Sequence, residues 1–370
     1  MKRRGSRAAI ISVLLLGLLI FGGVYFAWTT ITDVFQPVSA SQTIKPFVVN
    51  SGWTGAQIAD ALQEKGLIRN ALAFRIWARI KGQQNSFQAG VYYFSQNMTI
   101  DQIIALLQHA QVPEVAVTIQ EGLRLQQIAF AFAHNATLNQ KPVKLAQYSE
   151  QDFLNYTLHP NQFPDFASYP ILKSIPAGDS MEGLLFPDTF LVPVNATARD
   201  VINLMLNEFN DKVQQNQLDV MAKKNQLSVY QMVILASIVE REAQFEVDRP
   251  LVASVYWNRI YKPNSETASQ LDADPTVQYA RDSSPGTTTY WIPLNNGGRL
   301  IAPTSPWNTY THRGFPPTPI CSPGLASLEA AASPTPTDYY FFLTNPADGH
   351  NVYDKTYADF LIDKQKYLRH

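Results

Sequence analysis

Cysteine is almost absent from this chain. Its 370 residues hold one, Cys321, which excludes an intramolecular disulfide, a CxxC redox pair and any multi-cysteine zinc site. A lone thiol of this kind reads first as a small buried hydrophobe rather than a nucleophile. An excess of charge is also missing, because 29 Lys and Arg against 30 Asp and Glu leave a formal net charge of −1. Without a basic field to hold phosphates, a nucleic-acid-scanning protein is disfavoured and no nucleic-acid partner is expected. Histidine is sparse, and the six residues at 109, 134, 159, 312, 350 and 370 form no pair at metal-ligand helical spacing. His312 and His350 could meet in space, but their default reading is a surface or structural one. There is no GxxxxGK(S/T) loop, no GxGxxG after a strand and no HExxH, so nucleotide-binding and zinc-protease readings lack support. No G-x-S-x-G elbow points to a serine hydrolase of the α/β type. What the chain has in quantity is apolar: 46% hydrophobic and 12% aromatic residues against 16% charged. That is ample for a packed core and excludes a wholly disordered chain. At roughly 150 residues per domain, the length suggests two or three domains.

The start of the chain has the most distinctive local composition. Lys2, Arg3, Arg4 and Arg7 precede an uncharged stretch from Ala8 to Trp28, rich in Leu, Ile and Val. About 20 apolar residues in a helix rise about 30 Å, enough to cross a bilayer core. Tyr25 and Trp28 sit near its far end, as interfacial aromatics do. A secretory signal usually has a shorter apolar region followed closely by small residues, whereas Val38-Ser39-Ala40 lies well beyond this run. Residues 1–31 therefore read as a basic cytoplasmic tip and a single-pass anchor, with a cleaved signal as the alternative. The basic flank stays inside, so the rest of the chain is expected on the far, extracytoplasmic side of the membrane. Residues 32–45, with Pro37 and many small polar residues, read as a linker.

From Pro46 the texture becomes that of a folded module. Phe47-Val48-Val49 reads as a strand, Ile58, Ala59 and Leu62 as one face of a helix ending at Gly66, and 71–80 as a second helix. Gly90–Phe94 reads as another strand, and Thr99 as the cap of a helix carrying Ile103, Ile104 and Leu107. This 46–112 module is a small α+β unit whose spacing resembles the LysM-like fold, a glycan-binding scaffold. Residues 113–370 read as a larger mixed α+β domain, making the whole chain α+β. It opens with a strand at Val115, Val117 and Ile119, continues through 134–180 as helices joined by loops, and holds helical patterns at 198–224 and 228–244.

Within that domain one helix stands apart. In Val233-Ile234-Leu235-Ala236-Ser237-Ile238-Val239-Glu240-Arg241-Glu242 every residue before the first acid except Ser237 is aliphatic, around the whole circumference. Such a helix is buried on most sides, and desolvation of an acid at its end raises the acid's pKa, as a general acid at neutral pH requires. The helical wheel does not choose between Glu240 and Glu242, which lie roughly opposite each other. The bland alternative pairs both with Arg241, Arg249 or Arg259 in a salt-bridge network. Two further stretches bear on the choice: the acidic turn Leu271–Tyr279, and the proline-restrained loop Ser305–Gly324. The loop's Asn, Thr, Tyr and Arg side chains suit hydroxyl and acetamido groups, and Trp307 offers a stacking face for a sugar. A merely rigid loop is the competing reading.

These segments carry a resemblance. ILASIVEREA, VASVYWNR, DADPTVQY, SPWNTYTHRGFPPTPICSPG and LEAAASP, with EGLRL, GLLFPDTF and FQAGVYYF in order before them, resemble the endolytic murein transglycosylase, or YceG-like, family over nearly the whole chain. The resemblance implies cleavage of the β-1,4 bond between N-acetylmuramic acid and N-acetylglucosamine in nascent peptidoglycan strands, closing a 1,6-anhydro ring and ending elongation. One glutamate would act first as acid and then as base, with no cofactor and no metal. Read onto this chain, the resemblance implies that the catalytic glutamate is the first acid of the IVExE segment, Glu240, and that Asp274, Thr276, Asn308 and Tyr310 are substrate-binding positions. It implies as partners the glycan strands, the inner membrane, and penicillin-binding proteins with the elongation or division machinery. This chain departs from the family pattern at Asp272 (usually Gln), Ala280 (Gly), Trp307 (Tyr) and Phe315 (Leu), and its 282–300 segment is longer. Two other functions compete: a non-catalytic peptidoglycan-binding scaffold, in which Glu240 is structural, and a hydrolytic muramidase pairing Glu240 with Asp272 or Asp274 as a second carboxylate.

Overall fold

Alternating burial at 47–49 and 91–94 builds a two-stranded antiparallel ribbon. Strand β1 (Lys45–Val49) pairs with β2 (Gly90–Phe94) so that Phe47 faces Tyr92. Phe47, Val49, Tyr92 and Phe94 point into a core, while Val48 and Tyr93 face solvent. Helices α1 (Gly55–Glu64), α2 (Ala71–Ile80) and α3 (Ile100–Leu107) complete that core with Ile58, Leu62, Phe74, Ile103 and Leu107. Thr54 with Gln57, and Thr99 with Gln102, form capping boxes that start α1 and α3. This computed structural model describes residues 35–368 apart from 42–44, 51, 110–113, 139–140, 285 and 295–299. The expected anchor at 1–31 and part of the 32–45 linker lie outside the described residues. Among the described residues no helix is long and apolar enough to cross a membrane. The chain divides into two compact units, the first ending with Pro113 and the second beginning with Glu114.

The second unit is also mixed α+β. Its sheet runs in the order β5-β4-β3-β6, with β3 (Glu114–Thr118) paired antiparallel to β6 (Thr189–Pro193) and to the short β4 (Thr137–Leu138), which pairs in turn with β5 (Lys141–Pro142). Val115, Val117, Phe190 and Val192 turn inward. The stretch 134–180 differs from its sequence reading. It opens with β4 and β5, strands of two residues each and too short to show a period, before α5 (Glu150–Leu158) and three short 3-10 turns. Helix α4 (Leu125–His134) packs on β3 and α5. The helical pattern at 198–224 also divides, into α6 (Ala198–Gln215) and α7 (Leu218–Lys224), where Gln217 takes the left-handed φ of 51°.

Helix α8 (Val229–Glu242) forms the centre, packed against α9 (Arg249–Tyr261), α10 (Asp274–Asp282) and α11 (Leu325–Ala332). Ser228 and Gln231 close a capping box at its start, and nine residues from Tyr230 to Val239 are buried. The one polar member, Ser237, is satisfied: its hydroxyl donates to the Ile234 carbonyl at 2.8 Å and accepts from the Ile320 N–H at 3.0 Å. The Cys321 thiol donates to the Ser237 carbonyl at 3.3 Å. Cys321 is fully buried and desolvation raises its pKa, so it is the structural thiol the sequence suggested. Together these contacts fasten the end of the proline-rich loop to α8. The hairpin β7 (Phe341–Thr344) and β8 (Asn351–Asp354) with α12 (Tyr357–Tyr367) ends the unit.

Candidate active site

Glu240 and Glu242 are two positions apart, about 200° around a helix, and the two carboxylates have different surroundings. Both oxygens of Glu240 are hydrogen-bonded. Arg249 Nη2 lies 3.2 Å from its Oε1, and the Gly324 N–H donates to its Oε2 at 3.0 Å. Arg249 also approaches Glu121 at 3.8 Å. That half-exposed carboxyl is raised by partial burial and by the charge of Glu240, against the opposing effect of Arg249. The salt-bridge alternative read from the sequence therefore describes Glu240, with Arg249 as its partner.

Glu242 opens instead onto a cleft of about 590 Å³ whose walls include Tyr256, Asp272, Asp274, Tyr310 and Phe341. Burial pushes its carboxyl up to about 7, with Asp274 adding to the rise and Tyr256, Arg259 and Arg241 opposing it. The Tyr256 hydroxyl donates to Glu242 Oε1 at 2.9 Å, which leaves Oε2 without a hydrogen-bond partner among the described residues. Asp274 is the first residue of α10, and its Oδ1 accepts from the Tyr310 hydroxyl at 2.7 Å. Burial holds the Tyr256 and Tyr310 phenols well above their ordinary range, so both act as donors. Arg259, one turn beyond Tyr256 on α9, donates to the carbonyls of Leu271 and Tyr340 and lies 3.8 Å from Asp272. It thereby ties the acidic turn to the β7 side of the cleft.

Of the site residues expected from the sequence, Asp274 and Tyr310 share this cleft with Glu242, and Glu240 is not among its lining residues. Thr276 and Asn308 need correction as glycan contacts, since both are fully buried. The Thr276 hydroxyl donates to the Ala273 carbonyl at 2.7 Å and shares a 2.9 Å hydrogen bond with the Thr309 hydroxyl, which accepts from the Ala273 N–H. Asn308 donates to the Ile301 carbonyl and accepts from the Tyr310 N–H at 3.0 Å. They hold Asp274 and Tyr310 in place rather than touching what enters. Trp307 likewise spends its indole N–H on Thr318 and packs beside Tyr279.

Sequence reasoning passed over Tyr256 and named Arg259 only as a salt-bridge partner for the two glutamates. The signal was available in VASVYWNR, where a tyrosine and an arginine three apart share one face of an otherwise apolar helix. It also passed over Glu182, which is wholly buried. Its Oε1 accepts from the Leu125 N–H at 3.1 Å, at the start of α4, its Oε2 from Tyr279 at 3.4 Å, and Arg124 lies nearby. Desolvation pushes Glu182 up to about 8. Among the described residues no group of three or more His, Cys, Asp or Glu stands together in a way that could hold a metal ion.

A model of the YceG-like family matches residues 47–366. The endolytic murein transglycosylase of Bacillus subtilis (strain 168) is 32% identical over 356 residues, covering 95% of this chain and 91% of that one. The endolytic murein transglycosylase of Streptococcus pneumoniae serotype 2 is 27% identical over 376 residues, 95% of this chain and 64% of its own. A crystal structure of a yceG-like protein from Listeria monocytogenes aligns with a TM-score of 0.54 at 27% identity, over 87% of this chain and 99% of the other.

Proposed function

From the premise that this chain belongs to the YceG-like family, we propose that it is a lytic transglycosylase of peptidoglycan whose proton-transferring residue is Glu242. Two relatives named endolytic murein transglycosylase support the reaction class and its glycan substrate. The observation that carries the residue is a buried carboxyl, raised to about 7, with one free oxygen on a cleft. Protonated Glu242 donates from Oε2 to the glycosidic oxygen leaving C1 of N-acetylmuramic acid. The carboxylate so formed takes the proton of the muramoyl C6 hydroxyl, whose oxygen bonds to C1 and closes the 1,6-anhydro ring. No water is consumed. A group titrating near the working pH can serve in both directions. Asp274, beside Glu242, supplies negative charge opposite the oxocarbenium character that develops at C1. Tyr256 steadies the carboxylate after the first transfer, and Tyr310 fixes Asp274.

The resemblance implies Glu240 as this residue, and that reading competes with Glu242. Each Glu240 oxygen already accepts a hydrogen bond, from Arg249 and from the Gly324 N–H, whereas Glu242 keeps one oxygen on its cleft. The reading further includes an N-terminal membrane anchor, a LysM-like module in the first unit, an extracytoplasmic location and association with glycan synthases. These rest on the basic-apolar start, on the strand-helix-helix-strand-helix order and on the family.

The test uses full-length protein on uncrosslinked glycan strands, with products weighed by mass spectrometry. Anhydro ends, lighter by one water (about 18 Da), are expected from the unmutated chain. Glu242→Gln should lose about 100-fold or more of the rate, the scale of general acid–base catalysis, while Glu240→Gln keeps the chemistry wherever it folds. Loss in Glu240→Gln with activity kept in Glu242→Gln would return the role to Glu240. Hydrolytic reducing ends dependent on Asp274 would make the enzyme a two-carboxylate muramidase.

A further inference from the structure

A second cavity in the second unit is larger than the acidic cleft. It measures about 830 Å³ and lies along β3 and α4. Its chemistry is the reverse of the cleft's: the walls carry amides from Gln120, Gln126 and Asn135, a hydroxyl from Thr288 and rings from Phe130 and Tyr290, with Glu150 as the one charged residue. Amides both donate and accept, so they match hydroxyls and acetamido groups. Both rings are held in place. Phe130 stacks on His134 one turn away with centroids 4.1 Å apart and keeps half its surface exposed. Tyr290 lies with its centroid 4.9 Å from the Arg124 guanidinium carbon. The Oε1 of Gln126 is closed off from water and has no hydrogen-bond partner among the described residues. Since no water reaches that oxygen, a bound molecule meets Gln126 through the part of the side chain that lines the cavity.

From this geometry we infer that the cavity along β3 and α4 is a second saccharide site, which holds a run of uncharged N-acetylhexosamine units away from the acidic cleft. The inference rests on the reading of the chain as a glycan-acting enzyme and adds where a long strand is gripped. The two places are joined through the backbone. Gln120 leads into Glu121 and Gly122, the Gly122 N–H donates to the Ser322 carbonyl at 2.8 Å, and Gly324 donates to Glu240 near the end of α8. A strand held at the amide-lined cavity is thus anchored to the element that ends at Glu242. Stacking on Phe130 and a bond to Gln126 require neither the stem peptide nor ionisation of the sugar.

The experiment titrates full-length protein with the tetramer of N-acetylglucosamine, which lacks muramic acid and cannot form the anhydro product, and reads Kd by calorimetry. Binding is expected, weakened about threefold to tenfold by Phe130→Ala and by Gln126→Ala, the range that a lost ring contact or hydrogen bond supplies. On polymeric strands the same two variants should raise KM by a similar factor and leave kcat unchanged. Thr288→Ala, on a loop outside any helix or strand, repeats the measurement where folding is not at issue. An unchanged Kd in all three variants overturns the proposal, as does displacement of the tetramer by free stem peptide. The calorimetric arm does not involve Glu242, so a failed catalytic assignment and a failed saccharide site give different results.

Discussion

Glu240 and Glu242 differ by two positions in one helix, and their neighbours give them opposite tasks. Arg249 and the Gly324 N–H bind the two oxygens of Glu240, while burial and a nearby aspartate raise Glu242 to about 7 against the Tyr256 hydrogen bond. This predicts the pH behaviour of the enzyme. With Glu242 as the proposed acid the first step needs its proton, so kcat/KM should fall about tenfold per unit above pH ~7. Asp274 raises the Glu242 pKa and the Tyr256 bond lowers it. Asp274→Asn should therefore move the falling limb to lower pH, and Tyr256→Phe should move it to higher pH. Rate profiles from about pH 5 to 9 check both signs, and shifts in the same direction for the two variants would exclude Glu242 as the titrating acid. Glu240→Ala strands the buried Arg249 guanidinium and should cost about 3 kcal/mol of stability, read as a lower denaturant midpoint. The sequence confined the acid to two candidates but could not separate them. A helical wheel places side chains by angle, whereas their pKa depends on Arg249, Tyr256 and Asp274, which arrive from other elements.

At the scale of elements, the helices and strands with a clear period or cap were legible. The Gly90–Phe94 strand and the 71–80 helix have the bounds read from the sequence, and Thr99 caps its helix through a hydroxyl that accepts from Gln102. What escaped was set by contacts beyond the element itself. The two-residue strands β4 and β5 exist only through their ladder to β3. The break between α6 and α7 turns on the left-handed Gln217, a conformation that non-glycine side chains rarely adopt. Helix α8 makes an element-scale prediction. Ser228→Ala removes the acceptor for the Gln231 N–H and should cost about 1 kcal/mol, measurable by urea titration with the rate on glycan unchanged at saturation. A rate loss larger than the stability loss would mean that the cap sets the position of the far end of α8.

For the whole molecule, the charged groups buried in the second unit set how stability depends on pH. Glu182 keeps its proton in the folded state up to about 8, against an ordinary value of 4.5. Between those limits the folded chain binds more protons than the unfolded one, so stability falls as pH rises, by at most about 1.4 kcal/mol per unit, and levels off above ~8. Glu242 contributes in the same sense up to about 7. Glu182→Gln cannot ionise and should flatten much of the loss of denaturant midpoint between about pH 5 and 9. An identical fall in the variant would show that Glu182 does not titrate as its burial implies. The sequence alone determined the α+β class, the family, the apolar helix that ends in two candidate acids, and the acidic turn and proline loop beside it. Each of these follows from local period, composition or a run of consecutive residues, which a linear chain carries in full. Only the tertiary structure decided which acid faces the cleft, that Thr276 and Asn308 brace it from inside the core, and that Tyr256 and Arg259 belong to it. Those outcomes depend on which residues distant in sequence share a desolvated volume, and desolvation is a property of the packed core.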